Sequence, residues 1–376
     1  MGSGMQRPAP RPGLLDIRPY VPGKSQADGS RVYKLSSNES ALGPSPMAVA
    51  ALKESAAMAH RYPDGSAAGL RQRLAEVHGL DPALLLVGSG SDELLSLMVR
   101  CYTMPGDEVL MTRHGFSYYP LAARAEGCTP VMAEERELVA DTDALLAAVT
   151  PRTRVLFLAH PNNPTGTRMP QAELNRLRAE LPPQVMLVVD GAYAEYLETD
   201  DYDPGISLVR DAAVSGADNV VMTRTFSKIY GLGGLRVGWM YAPAPVIDIV
   251  NRVRGPFNVA APSLRAAEAA LEDVDFVNRN RRHNTEEMDR MTRELAGKGF
   301  DVRATEANFI LLRMQDDFTA AQFLAFLENR GVLVRGLASS NLPDFLRVSI
   351  GDRQANDAFL AGAQRWADGA STAAKA

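Results

Sequence analysis

The chain is predicted to adopt an α/β fold, with a large domain built on a mostly parallel sheet flanked by helices and a smaller α+β domain after it. Three observations predict this. Short apolar runs recur through the first two thirds of the chain, each followed by helical patterning; several of these runs end on polar or turn residues; and the pattern changes after about Ser263. Strand–helix alternation of this kind implies parallel strands covered on both faces.

Residues 7–46 are rich in Pro, Gly and Ser and hold no long periodic stretch, so they read as an extended arm lying on something else. The first apolar run, Leu84–Val87, leads through Gly88-Ser89-Gly90-Ser91-Asp92-Glu93 into the helical run Leu94–Arg100. Further runs follow at Glu108–Met111, Val155–Ala159, Val185–Asp190, Val220–Thr223 and Leu235–Tyr241. Their polar ends include Asp190, Thr223 and His160, and in open α/β sheets ligands bind beyond the carboxyl ends of the strands. One long helical stretch, Glu268–Leu295, then precedes short strands near Phe309–Arg313, Val332–Arg335 and Phe345–Ile350. The expected division is an arm over 1–45 packing with the small domain, a large domain over 46–265 and the small domain over 266–376.

Composition narrows the function classes. The net charge of −5 and a pI near 5.7 argue against a nucleic-acid binder. Arg279, Arg281 and Arg282 are followed by Glu286, Glu287 and Asp289, which reads as a solvated helix face. Two cysteines in apolar surroundings, Cys101 and Cys128, fit free buried thiols in a reducing compartment. The five histidines show no metal-ligand spacing. No apolar run approaches the ~20 residues of a membrane span, and the start lacks a signal peptide's apolar core, so a cytoplasmic protein is expected.

The segment Thr223-Arg224-Thr225-Phe226-Ser227-Lys228-Ile229-Tyr230-Gly231 carries the most chemistry, with Arg236 eight residues after Lys228. A lysine in a dry, cation-flanked pocket loses its proton readily and condenses with carbonyl compounds. Thr225, Ser227 and Arg236 supply donors for a phosphate. A carbonyl compound with a phosphate and a flat ring describes pyridoxal phosphate, although a Ser-Lys pair before glycines also suits a surface turn.

Such a ligand needs five further things. Asp190, ending an apolar strand, supplies an anion for the ring nitrogen; the alternative is an Asp that only caps the next helix. Tyr193 and Asn163, the latter held in Pro161-Asn162-Asn163-Pro164-Thr165-Gly166, are donors for the ring oxygen. Gly90, Ser91 and Asp92 offer amides at a helix N-terminus as a phosphate cradle; the dinucleotide fingerprint fails at Glu93, and no Gly-Lys-Ser/Thr ending is present. Phe116 could stack on the ring or serve the core. Arg335 and Arg347, inside apolar strands, need anionic partners, either in a substrate or in a salt bridge.

Together these motifs resemble the fold-type I pyridoxal-phosphate aminotransferases, and within them the histidinol-phosphate aminotransferase group. The resemblance rests on Leu35-Ser36-Ser37-Asn38-Glu39, Arg61-Tyr62-Pro63-Asp64, Gly90-Ser91-Asp92-Glu93, the Pro161–Gly166 loop, Asp190-Gly191-Ala192-Tyr193, Ser227-Lys228 with Arg236, and Leu346-Arg347-Val348-Ser349-Ile350-Gly351. It implies an aspartate-aminotransferase-like large domain with a seven-stranded sheet, pyridoxal 5'-phosphate as cofactor, and a homodimer with shared active sites. By the resemblance Lys228 binds the cofactor's aldehyde and shuttles the substrate proton, and Tyr62 reaches the cofactor phosphate of the neighbouring subunit. Arg347 binds the carboxylate of glutamate; Tyr20, Arg335 and Arg347 meet the phosphate of histidinol phosphate; Asn38 lies on the arm covering the substrate. The pattern departs from the family at Gly191, Ser40 and Phe116, of which Ser40 and Phe116 are expected beside the pocket.

The implied activity is amino transfer between histidinol phosphate and 2-oxoglutarate in histidine biosynthesis. An aromatic amino-acid aminotransferase and a phosphoamino-acid decarboxylase are alternatives on the same scaffold.

Overall fold

Alternating apolar side chains build the largest of the four sheets among the described residues, as in Met186–Asp190. There Leu187 and Val189 enter one core while Met186 and Val188 enter a second on the opposite face. A strand buried on both faces is the expected consequence of covering a parallel sheet with helices on each side. The computed structural model describes residues 10–11, 13–17, 19 and 32–373.

The large sheet has seven strands. In spatial order they are Leu85–Gly88, Gly238–Tyr241, Val220–Thr225, Met186–Asp190, Thr153–Ala159, Glu108–Thr112 and Thr129–Ala133. Gly238–Tyr241 runs antiparallel to both its neighbours, and the remaining pairs are parallel. The outer strand Thr129–Ala133 does not stand out as an apolar run in the sequence. It contains Pro130 and two exposed positions, which an edge strand tolerates and a central strand does not. The run at Leu235–Tyr241 starts its strand three residues later than expected. Gly233–Leu235 is a 3₁₀ turn and Arg236 has φ +52°, which no strand accommodates.

The smaller sheet comprises Asp301–Arg303, Phe309–Arg313, Leu342–Ser349 and Arg335–Leu337, all antiparallel. Its core gathers Met291, Leu295, Ile310, Leu312, Phe323, Val348 and Phe359, together with Leu35 from the arm. The expected strand Val332–Arg335 is two strands. Val332–Leu333 pairs in parallel with Tyr33–Lys34 of the arm, whereas Arg335–Leu337 joins the small sheet. Tyr33–Lys34 of the arm therefore lies on the smaller unit, whereas Arg11 donates to the Ala125 carbonyl and pairs with Glu126 on the larger one.

The long helix expected over Glu268–Leu295 is also divided, into Ala261–Glu272 and Val274–Ala296. Asp273 leaves helical geometry, and its side chain accepts the Phe276 amide, starting the second helix afresh. An Asp that can bond nearby amides competes with the helix interior and wins at such a position. The first helix packs in the large core through Leu264, Ala267 and Leu271. Among the described residues no helix is long and apolar enough to cross a membrane.

Candidate functional site

The carboxyl ends of the central strands open on a cavity of about 350 Å³. Ala159, Asp190 and Thr225 are the last residues of their strands, and all three line it. Leu85–Gly88 delivers the turn that starts the helix Ser91–Tyr102, whose Ser91 and Asp92 also line it. The arm contributes Ser36, Ser37, Asn38 and Glu39, and the small sheet contributes Arg335 and Arg347. Of the site residues expected from sequence, Phe116, Asn163, Tyr193, Ser227, Lys228 and Arg236 share these walls.

Asp190 is buried, and its carboxylate accepts from Tyr119 Oη at 2.9 Å and Thr223 Oγ1 at 3.3 Å. Among the described residues it has no cationic partner. Burial raises its pKa to about 6, against which the Tyr119 hydrogen bond works. Lys228 Nζ lies 5.7 Å from the Tyr193 ring centroid and makes a long hydrogen bond, 3.4 Å, to the Ser37 carbonyl. Burial of the amine, with the Arg347 guanidinium nearby, lowers its pKa to about 8.

The candidate anion cradle is built by close packing. Arg236 Nη1 donates to Ser227 Oγ at 3.2 Å, and Nη2 pairs with Asp92 at 3.0 Å. Gly90 has φ +79°, and a Cβ there would stand 2.4 Å from Arg236 Nη2. At Gly238 a Cβ would stand 2.4 Å from the Ser91 amide nitrogen. No side chain caps the helix at Gly90, so its first amides remain available to a ligand.

The far wall is cationic. Arg335 and Arg347 sit directly opposite one another in strand register, an arrangement of like charges that costs energy unless an anion lies between them. Arg347 donates to Asn163 Oδ1 and, at 2.9 Å, to the Ser36 carbonyl, with its guanidinium over the Phe309 ring. Asn38, at φ +54°, donates to Tyr193 Oη at 2.8 Å and is fixed from behind by Ser349.

The "Aminotransferase class I and II" family model matches residues 30–362. This chain belongs to the class I and II aminotransferases. It is 52% identical over 349 residues to a histidinol-phosphate aminotransferase of Ruegeria pomeroyi, covering 93% of this chain and 95% of that protein. A second, from Rhodopseudomonas palustris (strain BisB5), is 47% identical, covering 95% and 98% respectively. A solved histidinol-phosphate aminotransferase from Sinorhizobium meliloti, in complex with pyridoxal-5'-phosphate, superposes with a TM-score of 0.84 at 27% identity, over 90% of this chain and 92% of that one.

In this aminotransferase the cavity fits the cofactor that the motifs imply. A buried carboxylate without a cation suits a protonated ring nitrogen; the uncapped helix start beside Ser227 and Arg236 suits a phosphate; Phe116, partly open to the cavity, offers a ring face.

Of the remaining residues, Ser40 and His160 fall elsewhere. Tyr62 lies outside the cavity, 82% exposed and stacked on Phe257 at 4.8 Å. Tyr20 lies outside the described residues. Ser40 is turned away from the pocket it was expected to flank, and bonds Asn280 at 3.1 Å. His160, although it follows a strand end, packs in the protein against Tyr202; burial holds its pKa down to about 4. Tyr119, Ser349, Leu337 and Ser340 belong to the site or its support without having been expected there. Tyr119 adjoins another tyrosine, Tyr118, in a short aromatic run after Phe116, whereas Leu337 and Ser340 carry no sequence signal.

Proposed function

We propose that this aminotransferase is a pyridoxal-phosphate enzyme that moves the amino group of histidinol phosphate to 2-oxoglutarate. The observation that carries this reading is one cavity holding a buried Asp190 with no cationic partner among the described residues, a lysine with a depressed pKa, a candidate anion cradle and, at the far end, the opposed pair Arg335 and Arg347. Five cationic side chains line it against three acidic ones, an excess suited to ligands that each carry a phosphate or two carboxylates. The relatives' names point to the same substrate.

Bound there, pyridoxal phosphate supplies an aldehyde that takes up the amino group and a ring that accepts electrons from the substrate carbon. The protein does the rest. Asp190 presents negative charge to the ring nitrogen, Tyr193 and Asn163 hold the ring oxygen, and Phe116 covers one ring face. The amides of Ser91 and Asp92, after Gly90, take the phosphate with Thr225, Ser227 and Arg236. Lys228 Nζ would hold the aldehyde and would serve as the base that takes a proton from the amine-bearing carbon and gives it back, a role its pKa near 8 suits. Arg335, Arg347, Asn38 and Tyr20 hold the substrate, Arg347 taking a carboxylate of glutamate in the reverse half.

The same reading makes the enzyme a cytoplasmic homodimer in which Tyr62 serves the neighbouring subunit's phosphate cradle. The free thiols Cys101 and Cys128 favour a reducing compartment. An arm to residue 45, a large domain over 46–265 and a small one over 266–376 complete it, the helix Ala261–Glu272 spanning the division.

A half-reaction screen tests the substrate. Holoprotein is mixed with histidinol phosphate, glutamate or phenylalanine while the bound cofactor's visible absorbance is followed. Histidinol phosphate is expected to act at concentrations at least ~10-fold below phenylalanine. Arg335→Gln should raise the histidinol phosphate requirement roughly 10- to 100-fold, the scale of one charge-assisted contact, and leave phenylalanine nearly unchanged. If phenylalanine performs as well as histidinol phosphate, the aromatic aminotransferase replaces this reading.

A further inference from the structure

The cofactor reading above assigns Asp190 to the ring nitrogen, yet a bare carboxylate on a strand end has neither a fixed plane nor a secured charge. Both are supplied from behind the cavity. Tyr119, at the start of the helix Tyr119–Ala125, is buried and donates its phenol to Asp190 Oδ2 at 2.9 Å. Thr223, two positions before the cavity-lining Thr225, donates to Oδ1 at 3.3 Å. Each carboxylate oxygen thus takes one side-chain donor, the Ala192 amide adds a backbone donor, and acceptor capacity remains towards the cavity. The Tyr119 ring is itself held: it stacks on Phe157 at 4.7 Å and stands edge-on to Phe116, 5.6 Å between centroids with the planes at 87°.

We infer that Tyr119 is a positioning residue of this aminotransferase, fixing with one phenol the charge and plane of Asp190 and with its ring edge the platform of Phe116. This rests on the cofactor reading above and deepens it, because two expected cofactor contacts, one for the ring's nitrogen and one for its face, depend on one side chain outside the cavity lining. The phenol cannot compete with Asp190 for the charge, since burial and the adjoining Asp190 both drive its own ionisation well above the ordinary tyrosine range. It therefore acts as a donor throughout the working range of pH.

The charged and titratable groups about Asp190 are few. Asp92, at the start of the helix Ser91–Tyr102, opposes its ionisation. Tyr193, on the following turn, senses the Asp190 charge in its own ionisation, and Lys228 lines the same cavity. None of these is altered by replacing Tyr119 with phenylalanine, which keeps the ring and removes only the donor. Loss of that donor favours the protonated acid, and a protonated acid no longer attracts a protonated ring nitrogen.

The test is cofactor retention by purified holoprotein dialysed across pH 5 to 9, read as bound pyridoxal phosphate per chain. Wild type should lose cofactor on the acid side with a definite midpoint. In Tyr119→Phe that midpoint should move up by about one pH unit, the scale of one charge-assisted hydrogen bond, while retention near pH 9 stays at the wild-type level. Thr223→Val, which removes the longer bond, should shift it in the same direction by less. Unchanged midpoints would overturn the inference, and so would uniform loss of cofactor at every pH, which would make Tyr119 mere packing. Far-UV circular dichroism identifies a misfolded variant; if Tyr119→Phe misfolds, the presence or absence of the Thr223→Val shift decides the question in its place. If the wild-type protein itself retains no pyridoxal phosphate, the cofactor reading fails and takes this inference with it.

Discussion

Lys228 and Asp190 are each buried where the charged form is disfavoured. The Asp190 pKa is raised to about 6, so its favourable neutral form stabilises the cofactor-free fold below the unfolded value of 3.8, and that contribution is lost as pH rises through about 6. Lys228 is depressed to about 8; its contribution is present above the unfolded 10.5 and is lost as pH falls through about 8. Cofactor-free Asp190→Asn should therefore outlast wild type at pH 8, by on the order of 2 kcal/mol, with the gain vanishing towards pH 4. Thermal melts at a series of pH values check this, and a constant gap would refute it. The same variant, when loaded, should lose roughly 10²-fold or more in turnover, because it no longer presents a charge to the ring. These residues were legible from their types and settings: a lysine between a hydroxyl and glycines, an acid ending an apolar strand. Tyr119 was not, because nothing in a run of aromatics tells which phenol meets an acid 71 residues away.

At the scale of elements, the proposed phosphate cradle depends on backbones meeting where no side chain fits. Gly238 opens the antiparallel strand, and its missing Cβ leaves room for the first turn of the helix Ser91–Tyr102. Gly238→Ala should push that turn aside and weaken cofactor binding about 10-fold or more, a loss expected when donors aimed at a phosphate are displaced; fluorescence titration of the cofactor-free protein measures it. Asp273 illustrates a boundary that composition conceals. Asp273→Ala should remove the cap of the helix Val274–Ala296 and cost about 1 kcal/mol, seen as a lower melting temperature without a change in cofactor affinity. The helical pattern on either side of Asp273 is continuous in sequence; the Asp273 cap separates the two helices, the first packing in the large core and the second in the small.

For the whole molecule, the cavity exists because three parts of the chain meet: strand ends of the large sheet, residues 36–39 of the arm, and the small-sheet strands bearing Arg335 and Arg347. Tyr62 stands apart from them on the surface, stacked on Phe257. If it completes a neighbour's cradle, mixing Tyr62→Ala subunits with Lys228→Ala subunits should recover activity neither has alone. Statistical mixing leaves about a quarter of the sites intact in a dimer, measured as turnover after the subunits exchange; no recovery would remove Tyr62 from the shared site. The sequence by itself determined the fold class, the central strands and the candidate site residues Lys228, Asp190, Asn163 and the Gly90 turn. Each of these is a local matter: alternation of apolar residues, or a residue type held on a turn of few conformations. Tertiary structure alone decided what lies next to what. It split Val332–Arg335 between two sheets, set Arg335 opposite Arg347, turned Ser40 and His160 away from the cavity, and put Tyr119 behind Asp190. Those outcomes depend on contacts between residues far apart in the chain, and local periodicity carries no information about them.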